Sequence, residues 1–173
     1  LDYLVYVTFF PQLVAGPIER ASSLLPQVEK PRVFNLLDLR EGFGLAMWGA
    51  FKKVVIADTL APYVDKVFIL NEPSGPLIWA ATFAFTIQIL ADFSGYTDMA
   101  RGTARMLGFK LVENFNHPYM ATSTPDFWRR WHMSLSFWIR DYLLVPLLGE
   151  AKNVSLARFM WATTVSFLLL GLW

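Results

Sequence analysis

Between Ser123 and Tyr142 the run STPDFWRRWHMSLSFWIRDY sets the imidazole of His132 and the guanidiniums of Arg129, Arg130 and Arg140 among closely spaced aromatic rings. Imidazole is the side chain whose ordinary pKa lies nearest neutrality, so partial burial at the edge of an apolar face can tune it for proton transfer. Flanking arginines can hold an anionic substrate or a negative charge that develops during reaction. His132 is therefore the candidate catalytic group, and Arg129, Ser136 and Arg140 are candidate substrate contacts. The run reads as one helix, with Thr124 as N-cap, Pro125 at the first helical position and Asp126 in the first turn. On that helix Phe127, Trp128, Trp131, Leu135, Trp138, Ile139 and Tyr142 share an arc, and Arg129, His132, Ser136 and Arg140 recur at spacings of three and four. The same pattern also suits an interfacial helix, with Trp at the headgroups and Arg reaching the phosphates.

Two further clusters carry polar chemistry. In Asp92-Phe93-Ser94-Gly95-Tyr96-Thr97-Asp98, carboxylates and hydroxyls crowd the end of an apolar stretch, and Asp92, Ser94 and Tyr96 are candidate substrate contacts. The plainer reading is a helix end turning at Gly95, a new N-cap at Thr97 or Asp98, and exposed pairing by Arg101 and Arg105. In Asn114-Phe115-Asn116-His117-Pro118-Tyr119, Asn116 and Tyr119 are candidate contacts. His117 precedes proline, which biases it to extended backbone. A loop histidine of this kind more often caps or meets solvent than reacts, and no spacing supplies it with a partner.

The elements that must position these groups are apolar. Hydrophobic residues make up 55% of the chain and charged ones 17%, which makes a membrane a better solvent for it than water. Nearly balanced charge, 15 basic against 14 acidic residues, excludes the broad basic field of a nucleic-acid binder. The absence of cysteine excludes disulfides, thiolate zinc sites and a cysteine acyl-enzyme, and no metal site is expected.

Leu1 to Ala15 reads as the end of a span or a re-entrant piece broken at Pro11 and ended by Gly16-Pro17. Ile18 to Glu41 reads as the main extramembrane loop, with a short surface helix around Asn35 to Arg40. Gly42 to Ala61 reads as an oblique apolar segment whose Lys52 and Lys53 snorkel to an interface. Pro76 to Ala91 gives about 24 Å of uncharged helix with a polar spot at Gln88, and Leu156 to Trp173 about 27 Å. The expected fold is all-α, a multi-pass transmembrane domain of short, broken and re-entrant helices spanning residues 1–173. With no initial Met and an apolar run still open at Trp173, the chain reads as an internal fragment.

Five stretches together resemble the membrane-bound O-acyltransferase family, in its bacterial branch of alginate O-acetyltransferases and teichoic acid D-alanyl transfer proteins. They are PQLVAGPIER at Pro11 to Arg20, FKKVVIAD at Phe51 to Asp58, QILADFSGYTDMARGTARMLGF at Gln88 to Phe109, NFNHPY at Asn114 to Tyr119, and DFWRRWHMSLSFWIRDYL at Asp126 to Leu143. The resemblance implies acyl transfer, acetyl above all, from a thioester donor (acetyl-CoA or an acyl carrier) to hydroxyls of a cell-surface or exported polysaccharide. D-alanyl transfer to teichoic acid is the neighbouring alternative. It implies a site in the bacterial inner membrane, lipid contact, a tunnel in which donor and acceptor meet, and a periplasmic acyltransferase as possible partner. It carries no bound cofactor and no nucleic acid.

Of the family's two histidines, the one in the RWH segment matches His132, in a supporting role. The other, regarded as catalytic, stands in a Trp-His-Gly motif and is expected directly after Gly171-Leu172-Trp173, so the segment alone is expected to be inactive. Leu147-Leu148-Gly149-Glu150 departs from the glycine pair and basic loop of the alginate-type relatives, so the resemblance does not single out alginate as acceptor. Two other classes stay open. A transporter subunit also uses broken helices, but predicts internal symmetry. A scaffold whose aromatic helix docks a partner predicts that His132→Ala changes no acylation.

Overall fold

The computed structural model describes residues 2–13, 16–149 and 154–172, all helical or irregular with no strand among them. Two compact units divide the chain, residues 1–113 and 114–173, and each is taken by itself.

The first unit is organised by two long helical stretches. Helix α1 is Asp2–Thr8, and a 3₁₀ turn at Phe10–Gln12 follows with Pro11 inside it, so the α-helix ends ahead of the proline; Leu1, Val14 and Ala15 lie outside the described residues. The expected loop from Ile18 to Glu41 is corrected, because Ala21–Glu29 forms helix α2. Its Leu24 is fully buried against Phe9, Ala104 and Phe109, and this apolar burial outweighs the composition that suggested a loop. Asn35 starts a helix by accepting from Leu37 N at 3.0 Å, but that helix, α3, runs over Leu36–Ala50 rather than stopping near Arg40. A π-helical stretch, Phe51–Ala57, carries it on into α4, Asp58–Phe68.

Helix α5 extends over Gly75–Met106, 32 residues or about 48 Å. The expected break between Asp92 and Asp98 is therefore absent. Gly95 serves close approach instead of a turn: a Cβ there would lie 2.8 Å from the Gly49 carbonyl oxygen. Gly102 meets α3 in the same way, where a Cβ would fall 2.5 Å from Ala46 N. Paired small residues are how helices associate in lipid, where no hydrophobic drive separates helix from solvent.

Lys52 turns inward instead of snorkelling, while Lys53 stays partly exposed among surface carboxylates. Lys52 Nζ donates to Ser94 Oγ at 2.9 Å and to Asp98 Oδ2 at 2.7 Å; Lys53 Nζ meets Asp58 at 2.7 Å and Asp92 at 2.6 Å. Arg101 keeps the expected local pair, with Asp98 at 3.4 Å, and also reaches Glu113 at 2.7 Å, while Arg105 reaches across to Asp38 at 3.2 Å instead of pairing locally. In the N-terminal half of α5, Trp79, Phe83 and Ile87 at four-residue spacing are exposed, an apolar stripe suited to lipid that gives way to the buried Ala91 and Gly95 further along the same row. Among the described residues α5 is the helix long and apolar enough to cross a membrane.

The second unit opens with a 3₁₀ turn at Pro118–Met120 and continues through α6 (Thr124–Trp128), α7 (Met133–Ile139), a π turn at Arg140–Leu144, α8 (Val145–Leu148) and the apolar α9 (Leu156–Leu172). The expected single helix from Thr124 to Tyr142 is corrected: it breaks at residues 129–132, where His132 takes φ 42° and ψ 57°. Its cap is also shifted by one residue, to Ser123, whose hydroxyl accepts from Asp126 N at 3.3 Å. Glu150 of the departing loop lies outside the described residues, while Gly149 turns at φ 67°.

Candidate active site

The break in the helix is where the candidate imidazole sits, and it is held by the tripeptide Asn114-Phe115-Asn116. Asn116 N donates to the Arg130 carbonyl at 3.0 Å, and Met133 N donates to the Asn114 carbonyl at 2.9 Å. These two bonds run antiparallel and bracket Trp131 and His132 from both sides. Between the asparagines, the Phe115 ring meets Trp131 edge-on at 5.1 Å and stacks on His132 at 6.4 Å between centroids. Trp131 stacks in turn on Phe127 at 5.6 Å and on Tyr119 at 6.3 Å. The aromatic residues thus form a wall, but around a turn rather than along a helical arc.

A left-handed backbone at a residue other than glycine costs about 1–2 kcal/mol, so the surroundings must over-determine it. Several groups do. The Asn114 side chain, fully buried, accepts through Oδ1 from Ser134 Oγ at 2.5 Å and Ser134 N at 3.3 Å. Arg130 Nε binds Asp126 Oδ2 at 3.0 Å, which ties the turn to the first turn of α6 and holds the Asp126 carboxyl below its usual range. Ser136 N closes on the His132 carbonyl at 3.0 Å, starting α7.

Burial pushes the His132 imidazole down to about 4, because a charged ring inside the wall would lose its hydration. At neutral pH the ring is uncharged. A neutral imidazole both donates and accepts a hydrogen bond, and two nitrogens of opposite role suit a proton relay.

The other candidates fall into two groups. In the second unit, Arg129 is exposed on the turn, and Ser136 Oγ lies 3.4 Å from both the Trp128 and Trp131 carbonyls. Arg140 binds its neighbour Asp141 at 2.7 Å and lies over the Phe137 ring at 5.0 Å. Tyr119, its phenol pushed up by burial, borders an open groove of about 540 Å³ lined also by Pro118, Thr122, Ser123 and Phe127. In the first unit, Asp92 and Ser94 are engaged by Lys53 and Lys52, and Tyr96 is half-buried on α5. His117 turns at φ 45° instead of the extended backbone expected before proline, since Met120 N closes on its carbonyl at 3.0 Å.

Asn114 and Ser134 were not candidates from sequence. They lie 20 positions apart, and neither helical nor strand periodicity links them. The signal that could have found them is an amide placed two residues before another amide, upstream of a helix whose natural cap is a histidine.

The sequence pattern of the family described as "MBOAT, membrane-bound O-acyltransferase family" matches residues 1–173. A protein named "Probable alginate O-acetylase AlgI" from Azotobacter vinelandii is 46% identical over 87% of this chain and 30% of its own length. A "Peptidoglycan O-acetyltransferase" of Helicobacter pylori is 40% identical over 100% of the chain and 33% of its length. A "Teichoic acid D-alanyltransferase" of Bacillus subtilis is 30% identical over 98% of the chain and 45% of its length. The chain thus spans about a third of the length of the first relatives it matches.

Proposed function

The chain belongs to the membrane-bound O-acyltransferase family, and from that premise we propose that it transfers an acetyl group from a thioester donor to hydroxyls of a cell-surface or exported polysaccharide. The relatives named for acetyl transfer are 40% and 46% identical, against 30% for the one named for D-alanyl transfer. Acetyl is the acyl group this ordering favours. The family makes the protein membrane-embedded; a multi-pass arrangement in the inner membrane is part of the proposal.

The single observation that carries the reading is His132, half-buried, uncharged and pinned at φ 42° between Asn114 and Asn116. In the proposed step an acceptor hydroxyl attacks the thioester carbonyl. The C–O bond forms, the C–S bond breaks, and the hydroxyl proton passes through imidazole to the departing thiolate. The best general base has a pKa near the working pH, and an imidazole held near 4 is a weak one. That suits His132 to a supporting place, orienting the hydroxyl or a stronger base through a hydrogen bond.

Arg129 and Arg140 then offer charge to an anionic donor, and Asn116, Tyr119 and Ser136 offer hydrogen bonds. Asp92 and Ser94 would act on substrate only by sharing it with Lys53 and Lys52; without that they hold α3 and α5 together. Acetyl-CoA or an acetylated carrier is the donor, lipid surrounds the protein, and a periplasmic acyltransferase receives or completes the transfer.

The test is acetyl transfer in membranes containing the full-length protein. Radiolabelled acetyl thioester is supplied with the polymers of the host envelope, and ester-linked label is measured on polysaccharide. Transfer that falls at least a hundredfold in His132→Ala supports the reading. Label found on no polymer, label from D-alanine but not acetyl, or undiminished transfer in the variant would each reject it.

A further inference from the structure

We infer that Asn114, braced by Ser134, is a positioning residue for His132: it caps α7 from outside the helix and so fixes the turn that aims the imidazole. The inference rests on the role proposed above for His132.

The first N–H groups of a helix have no partner within it, and the N-cap side chain ordinarily supplies one. In α7 the N-cap is His132, and its side chain makes no capping bond. Asn114 does that work instead. Its carbonyl accepts from Met133 N at 2.9 Å, the first N–H of the helix, and its Oδ1 accepts from Ser134 N at 3.3 Å, the second. Capping therefore makes no demand on the imidazole, which can face the chemistry while its own backbone begins the helix.

The orientation of the amide follows from its partner. A backbone N–H can only donate, so the atom facing Ser134 N is the oxygen, and the Ser134 hydroxyl donates to the same oxygen at 2.5 Å. This directs Nδ2 into the interior, where it is buried with no protein partner among the described residues. A buried donor left unpaired is destabilising, so packing alone does not account for an amide at a fully buried position. The oxygen is what the site needs. Removing the Ser134 hydroxyl loosens the amide, the cap and the left-handed residue 132 in sequence, and displacement of a reacting group by a fraction of an ångström lowers rate far more than binding.

The experiment is a double-mutant cycle on the full-length protein in membranes, with acetyl transfer to polysaccharide as readout and membrane abundance measured for each variant. Ser134→Ala is expected to lower kcat on the order of tenfold, with KM for the thioester changed less than twofold. In the His132→Ala background the same substitution is expected to change kcat less than twofold, because the residue it positions is gone. As a second readout, the imidazole titration of solubilised protein followed by NMR is expected to rise in Ser134→Ala from about 4 towards the ordinary value, as water reaches a loosened ring. An equal loss of kcat in both backgrounds, or an unchanged kcat and titration at normal abundance, would overturn the inference. A fully active His132→Ala would instead overturn the reading of His132, and with it this one.

Discussion

Lys52 Nζ lies 2.7 Å from Asp98 Oδ2 across the contact between α3's π-helical extension and α5, and the two side chains are only 15% and 16% exposed. Ser94 Oγ shares the same ammonium at 2.9 Å. A lysine in a wide turn thus reaches a carboxylate that lies between the two glycine contacts of α5, Gly95 and Gly102, and the pair fixes which faces of the two helices meet.

Breaking such a pair from one side strands the other charge, which costs about 3 kcal/mol or more, whereas replacing both partners by apolar groups is often neutral. Asp98→Leu should therefore lower the thermal stability of the solubilised protein strongly, and Lys52→Met with Asp98→Leu should regain most of the loss. Size-exclusion recovery after heating checks both. A double variant as unstable as the single one would show that the ammonium is needed for something other than the pair.

The glycine contacts predict a contrast between positions that look alike in sequence. Gly95→Ala places a methyl 2.8 Å from the Gly49 carbonyl, while Gly44→Ala on α3 meets nothing within 4 Å. The first should cost about 1–3 kcal/mol through overpacking. The second should gain up to about 1 kcal/mol from helix propensity. Thermal melts of the two variants, measured side by side, decide whether the small-residue contact governs the helix pair.

What was legible in the sequence was local. Asn35 starts a helix, Pro11 falls where the first helix has given way to a 3₁₀ turn, and uncharged runs mark α5 and α9, because each depends on neighbours within a turn. His132 was legible as a reactive group from residue type alone. The continuous helix drawn through it was not correct, since the bonds that break it come from Asn114 and Asn116, which periodicity about residue 132 cannot see. The same holds for Gly95, read as a turn because glycine turns easily, when its missing Cβ was needed by α3. Lys52 read as snorkelling because its carboxylate, Asp98, lies on another helix, 46 positions away.

The depressed imidazole of His132 carries a pH signature. Its folded pKa, about 4, lies below its ordinary 6.5, so between those values the unfolded chain binds more protons than the folded one. Stability is then fully present above pH 6.5, falls as pH drops through the window, and levels off below 4. Because the ring is only half-buried, solvent screening keeps the loss well below the ~1.4 kcal/mol per unit of a fully desolvated group. His132→Asn, which tolerates a left-handed backbone without titrating in this range, should flatten that slope between pH 4 and 6.5 relative to the parent protein. Melting temperatures taken across the window measure it. A slope unchanged in the variant would assign the acid sensitivity to other groups.

The left-handed backbone at residue 132 allows its structural and chemical contributions to be separated. Glycine adopts φ 42° without the steric cost that alanine meets, so His132→Gly should be about 1 kcal/mol more stable than His132→Ala. If the imidazole is what the turn exists to present, both variants should lose acyl transfer alike despite that difference. Thermal stability and acetyl transfer measured on both give two independent axes. Activity that tracked stability, with His132→Gly keeping most of the parent rate, would make His132 a residue of the turn alone and leave the proton relay to a different group.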